Sequence, residues 1–116
     1  MGRLGRRSLG LAACAALALA CTSPTLPLPP PTAPSITTGT EPNTWKLTSQ
    51  NGVQPGALVL AVNRNEALPR SERVTGTIAD DTGSWELVVI GRTGDFVDIS
   101  QESGTTSSAP TTIQLK

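Results

Sequence analysis

Residues 43–116 predict a small all-β domain, an antiparallel sandwich or open barrel, and three observations carry that prediction. Short runs of β-branched, aromatic and aliphatic residues recur about every 8 to 12 positions between turn formers. Within the runs, apolar and polar residues alternate with the period of a half-buried strand. No window shows a helical period, and 74 residues in about six strands suit two packed β layers.

Two segments of different character come first. The start MGRLGRR is basic, and Leu9 to Cys21 reads LGLAACAALALAC, an apolar run with a small-residue exit. Charge, apolar run and small exit make a secretory signal, and the run is too short to cross a bilayer. Its end, Ala18-Leu19-Ala20-Cys21, resembles the lipobox of bacterial lipoproteins. That resemblance implies residues 1–20 as a cleaved lipoprotein signal, with Cys21 lipidated as the new N-terminus. Leu11-Ala12-Ala13-Cys14 fits the Leu-small-small-Cys pattern better. Cutting there leaves only about six apolar residues after Arg7, which favours Cys21. The alternative is an ordinary signal that releases a secreted, soluble domain. Arg6-Arg7 fits the twin-arginine route as well as the general one. Thr22 replaces the aspartate that retains lipoproteins at the inner membrane, so the resemblance implies the outer membrane in a two-membrane cell.

Residues 21–42 carry seven prolines between Thr22 and Pro42. Proline fixes φ and donates no hydrogen bond, so this stretch is expected to be an extended, solvated, flexible linker. At ~3.1 Å per residue it would hold the domain up to roughly 60 Å from the lipid. Nine basic residues balance nine acidic ones. Loss of Arg3, Arg6 and Arg7 with the signal leaves six against nine, a net charge of −3. That composition excludes nucleic acid and a polybasic membrane patch as partners. With Cys14 removed and Cys21 acylated, the domain holds no disulfide, and packing alone must stabilise it.

The expected strands are 45–48, 57–63, 73–79, 84–90, 96–101 and 111–115. Between them lie Asn51-Gly52, Pro55-Gly56, Asp81-Thr82-Gly83, Gly91 with Gly94, and Ser103-Gly104, all turn chemistry. Alternation sends Trp85, Leu87 and Val89 inward, with Val97, Ile99, Ile113 and Leu115. Trp45, Leu47 and Ile78 complete the expected core. One strand departs from alternation. Leu58-Val59-Leu60-Ala61-Val62 is apolar on both faces, so its outer face is either covered by the loop 66–72 or is a surface for a partner or a second copy.

The run 50–116 resembles bacterial Ig-like domains of cell-surface and adhesin-type proteins. The matching pieces are VQPGALV at 53–59, GTIADDTGSW at 76–85, GDFVDI at 94–99 and GTTSSAPTTI at 104–113. The resemblance implies a single Ig-like β-sandwich over 43–116, with Val59 and Ala61 inward and Leu58, Leu60 and Val62 outward. Carboxypeptidase-regulatory-like and transthyretin-like sandwiches share the Pro-Gly-Ala strand and the Asp-x-x-Gly-x-aromatic hairpin, so the topology stays open at this point.

Chemistry is tightly limited by composition. The chain has no histidine or tyrosine, and its cysteines belong to the signal and anchor. Ser-His and Cys-His catalysis therefore cannot be built, and zinc or copper lacks its usual ligands. Asp80 and Asp81 with Asp95 or Asp98 are the remaining candidates, as calcium ligands or as an acid and base. Asp-Asp-Thr-Gly is also ordinary hairpin chemistry. Trp45 and Trp85 would serve a glycan-binding module only if their faces were exposed. The expectation is a non-catalytic protein without cofactor, held at the cell envelope through Cys21. Its Ig-like domain would serve binding or adhesion, or act as an accessory subunit with an envelope protein or glycan as partner.

Overall fold

The computed structural model describes residues 26–116; the signal region, Cys14, Cys21 and the expected cleavage point lie outside the described residues. One antiparallel sheet holds β1 (Ser35–Thr38), β2 (Thr44–Ser49) and β5 (Trp85–Ile90), in the order β1-β2-β5. The other holds β3 (Leu58–Asn63), β4 (Val74–Ile78), β6 (Phe96–Ser103), β7 (Thr106–Ser107) and β8 (Thr111–Gln114). Its order is β4-β3-β6, with β7 and β8 both paired to β6. The only helix among the described residues is the single turn α1 (Arg70–Arg73). First, second and fifth strands thus face third, sixth and last in a small all-β sandwich, with the fourth strand placed beside the third.

The alternation written in the sequence decides which side chains meet between the sheets. Leu47, Leu87 and Val89 from one sheet face Val59, Ala61, Val97 and Ile99 from the other, and Leu115 and Ile113 close the core at the C-terminus. Trp45 and Trp85 are buried with them, and the Trp45 indole N–H donates to the Gly91 carbonyl at 2.9 Å. Ile78 is the one expected core residue that lies outside, at 64% exposure. The register of β4 turns Thr75 and Thr77 inward instead, and Ala79 takes the buried place after the strand.

The turn between β4 and β5 shows why its residues are needed. Asp80 Oδ1 accepts from the backbone N–H of Thr82 and of Ser84, both at 2.9 Å, and from the Thr82 hydroxyl at 2.7 Å. Gly83 has φ +79 and a Cβ there would collide with the Val53 carbonyl. A left-handed conformation and a backbone neighbour together leave room only for glycine.

Of the stretch expected to be a flexible linker, 21–42, residues 26–42 are described, and most of that part is not free. From Leu28 onward the chain is docked. Leu28 bridges to Ser108 in parallel, Pro31 and Pro34 are buried, and β1 pairs with β2 from Ser35↔Thr48 to Thr38↔Trp45. Two β-branched threonines and Ile36 make β1 a strand, and Ile36 packs on the core. The prolines before it are kept because their carbonyls find donors. Gln101 Nε2 donates to Pro29 O at 2.8 Å, the Thr111 hydroxyl donates to Pro31 O, and Thr32 N–H donates to Gly52 O at 3.1 Å.

Candidate interaction surface

The outer face of the β3 sheet is built by the same period of two that builds the core. Val59 and Ala61 are fully inward, so Leu58, Leu60 and Val62 must face out. Their partners across the ladder are Ile78, Gly76 and Val74. The strip is therefore apolar across two strands: Ile78 beside Leu58, and Val74 beside Val62. Gly76 lies between, and a Cβ on it would come 3.1 Å from Leu60 Cδ2 and 3.6 Å from Leu58 Cδ1. Both leucines thus lean over the glycine, which leaves them half-buried, while Val62, Val74 and Ile78 are 38%, 51% and 64% exposed.

The loop expected to cover this face does not. Residues 64–73 turn towards the end of β5, where Leu68 and Glu72 line a shallow cleft with Thr44, Ile90 and Arg92. Hydrogen bonding explains the direction. Asn65 N–H binds Asn63 Oδ1 at 2.9 Å, and Asn65 Nδ2 binds Asp95 Oδ1 at 3.1 Å, which pulls the start of the loop towards the β5–β6 turn.

On the far side of the strip the same face becomes polar. Leu58, Leu60 and Val62 pair across β6 with Glu102, Ser100 and Asp98. Asp98 receives Arg64 Nε at 2.9 Å and the Thr112 hydroxyl at 2.6 Å. Its partial burial favours the neutral acid, but the Arg64 and Thr112 hydrogen bonds and the Arg64 charge outweigh that and hold its pKa below the ordinary 3.8. Phe96, 48% exposed, borders the polar half at the strand end.

The four aspartates are not gathered into one site. Asp80 and Asp81 sit in the turn before β5, and Asp95 and Asp98 follow it, so the six-residue strand separates the pairs by roughly 20 Å. Asp80, Asp81 and Asp95, the calcium alternative, are therefore not brought together, and no group of three metal-ligating side chains occurs among the described residues. Each carboxylate has local work. Asp80 is lowered below 3.8 first by the Thr82 hydroxyl and then by backbone N–H groups. For Asp95, burial pushes upward, yet donors from Arg92, Asn63 and Asn65 and the Arg92 charge bring it below 3.8. The glycan reading loses its platform in the same way, since neither tryptophan presents a face to solvent.

Two residues not singled out in the sequence prove central. Asn63, 2% exposed, donates from Nδ2 to Ile90 O at 3.0 Å and so ties the two sheets together. Gln101, 1% exposed, accepts Gln54 N–H at 2.8 Å while holding Pro29. The available signal is that both occupy inward positions of their strands, where a polar residue must find partners. Comparison with known proteins gave no match to a family model, a curated protein or a solved structure.

Proposed function

We propose that this chain is a non-catalytic lipoprotein of a bacterial cell envelope whose Ig-like sandwich presents the Leu58-Leu60-Val62 strip, extended by Val74 and Ile78, to a protein partner. The observation that carries the reading is the pairing of these apolar residues on one uncovered sheet face, beside a polar half fixed by Arg64 and Asp98. Such a divided face suits contact with an envelope protein, or service as an accessory subunit of a surface assembly, better than it suits solvent.

The anchor in this reading is Cys21, and the docked prolines shorten its reach. Only six residues, 22–27, separate Cys21 from the docked Leu28. At full extension that allows roughly 25 Å, against the ~60 Å of a free linker. The domain would therefore work close to its membrane.

Metabolic labelling with an alkyne fatty acid tests the anchor. Label is expected on the parent chain and absent from Cys21→Ala, and an unlabelled parent overturns the lipoprotein reading. A photocrosslinking residue in place of Val62 tests the surface in intact cells. A protein adduct is expected at 62 and not at Glu86 on the opposite sheet, and equal yields at both overturn it.

A further inference from the structure

We infer that two copies of this chain associate through β4, edge to edge and antiparallel, around a twofold axis at Gly76. The inference goes beyond the partner reading above and does not depend on the lipid.

The backbone settles which groups are free. Ala79 N–H donates to Ala57 O at 2.9 Å, so the 57/79 pair is a hydrogen-bonded one in the β3–β4 ladder. Antiparallel pairs alternate, so the pairs at Thr77 and Thr75 are also hydrogen-bonded to β3. Val74, Gly76 and Ile78 then point their N–H and C=O groups away from β3, along an edge that no strand among the described residues occupies. Natural edges are blunted by lysine, proline, bulges or an inward charge. β4 reads Val-Thr-Gly-Thr-Ile and contains none of these.

That sequence is a palindrome in chemistry. An antiparallel partner centred on Gly76 sets Val74 opposite Ile78 of the second copy, Gly76 opposite Gly76, and Thr75 opposite Thr77. The three pairs at 74, 76 and 78 are those whose groups point outward, so one register satisfies every free group of both edges, with six hydrogen bonds. Side-chain faces match as well. Val74 and Ile78 join two apolar strips into one, while threonines meet threonines on the inner side. A shift of one residue would break both matches.

The ends of the strand are complementary in charge. Arg70 and Arg73 precede β4, and Asp80 and Asp81 follow it. Antiparallel pairing lays the arginine turn of each copy beside the aspartate turn of the other. Within one copy Arg73 has no ion-pair partner among the described residues, and its Nε is buried without a hydrogen bond.

The test uses the full chain in detergent, diluted below one copy per micelle. Thr75 and Thr77 of different copies would form a non-hydrogen-bonded pair with Cα atoms about 4.5 Å apart, within disulfide reach. Like residues fall two positions out of step, beyond about 7 Å. Mixing Thr75→Cys with Thr77→Cys chains is therefore expected to give a disulfide-linked dimer on the order of tenfold above either variant alone, with the parent as background. Sedimentation of the parent is expected to show two copies, and Ile78→Lys one copy. Equal crosslinking in like and mixed samples, or a parent that remains single at high concentration, overturns the inference. Loss of fatty-acid labelling would leave both results unchanged, so the two readings fail separately.

Discussion

The two sides of the sandwich handle the same hazard in opposite ways. On one side, where β1 and β8 end their sheets, residues 28–34 run along the opening and close it. On the other, β4 ends its sheet with no strand hydrogen-bonded to its outer edge among the described residues, and β5 of the facing sheet lies near it. The closing segment is rich in proline, and proline covers an edge without offering new N–H groups to a stranger. Its carbonyls are taken up by Gln101 and Thr111, so the covered side is also satisfied internally. A strand can thus be protected from below by chemistry or left open for recognition. This chain does one on each flank.

Changes on the closed flank should cost stability, and Gln101→Ala should cost most. It strands the Gln54 N–H and the Pro29 carbonyl and empties a buried volume, worth ~3 kcal/mol in urea unfolding. The same variant should expose residues 28–34 to protease while the core resists. Asp95→Ala should come next, at ~2 kcal/mol, because it deprives Asn63, Asn65 and the Arg92 N–H of one shared acceptor. Thr111→Val removes only the bond to Pro31 and should cost about 1 kcal/mol, with faster hydrogen exchange confined to the docked segment.

Acid should weaken the fold in a defined direction. Asp80, Asp95 and Asp98 all ionise below the ordinary 3.8 in the folded chain, so the unfolded chain binds more protons in that range. Their contribution is fully present above pH 3.8 and is lost as the pH falls through the lower folded-state values. A denaturation midpoint that stayed level from pH 5 to pH 2 would contradict this sign.

Most of the sandwich could be read from alternation, because a strand with one buried face writes its orientation into every second residue. Trp85-Leu87-Val89 and Val97-Ile99 are inward as the pattern requires, and Val59 and Ala61 settle the two-sided strand β3. The pattern was silent where the deciding fact is register or a distant partner. Val-Thr-Gly-Thr-Ile alternates equally well either way, and only its pairing to β3 turns Ile78 outward. The prolines before β1 look solvated because their docking depends on Gln101, 72 positions from Pro29. The scattering of the aspartates, by contrast, was legible, because the expected strand 84–90 already lies between Asp81 and Asp95.

The open flank should answer differently, and Ile78→Lys is the sharpest contrast. Ile78 is 64% exposed, so its replacement by an amphipathic lysine should change unfolding of the single chain by no more than about 0.5 kcal/mol. Its effect should show in concentration instead. If two copies pair through β4, mass action raises the parent's unfolding midpoint as protein concentration rises, since the pair binds folded and not unfolded chains. Ile78→Lys should flatten that dependence, whereas Gln101→Ala should lower the midpoint and keep the slope. Opposite behaviour, with the slope following Gln101, would mean that the proline-covered flank is the associating one.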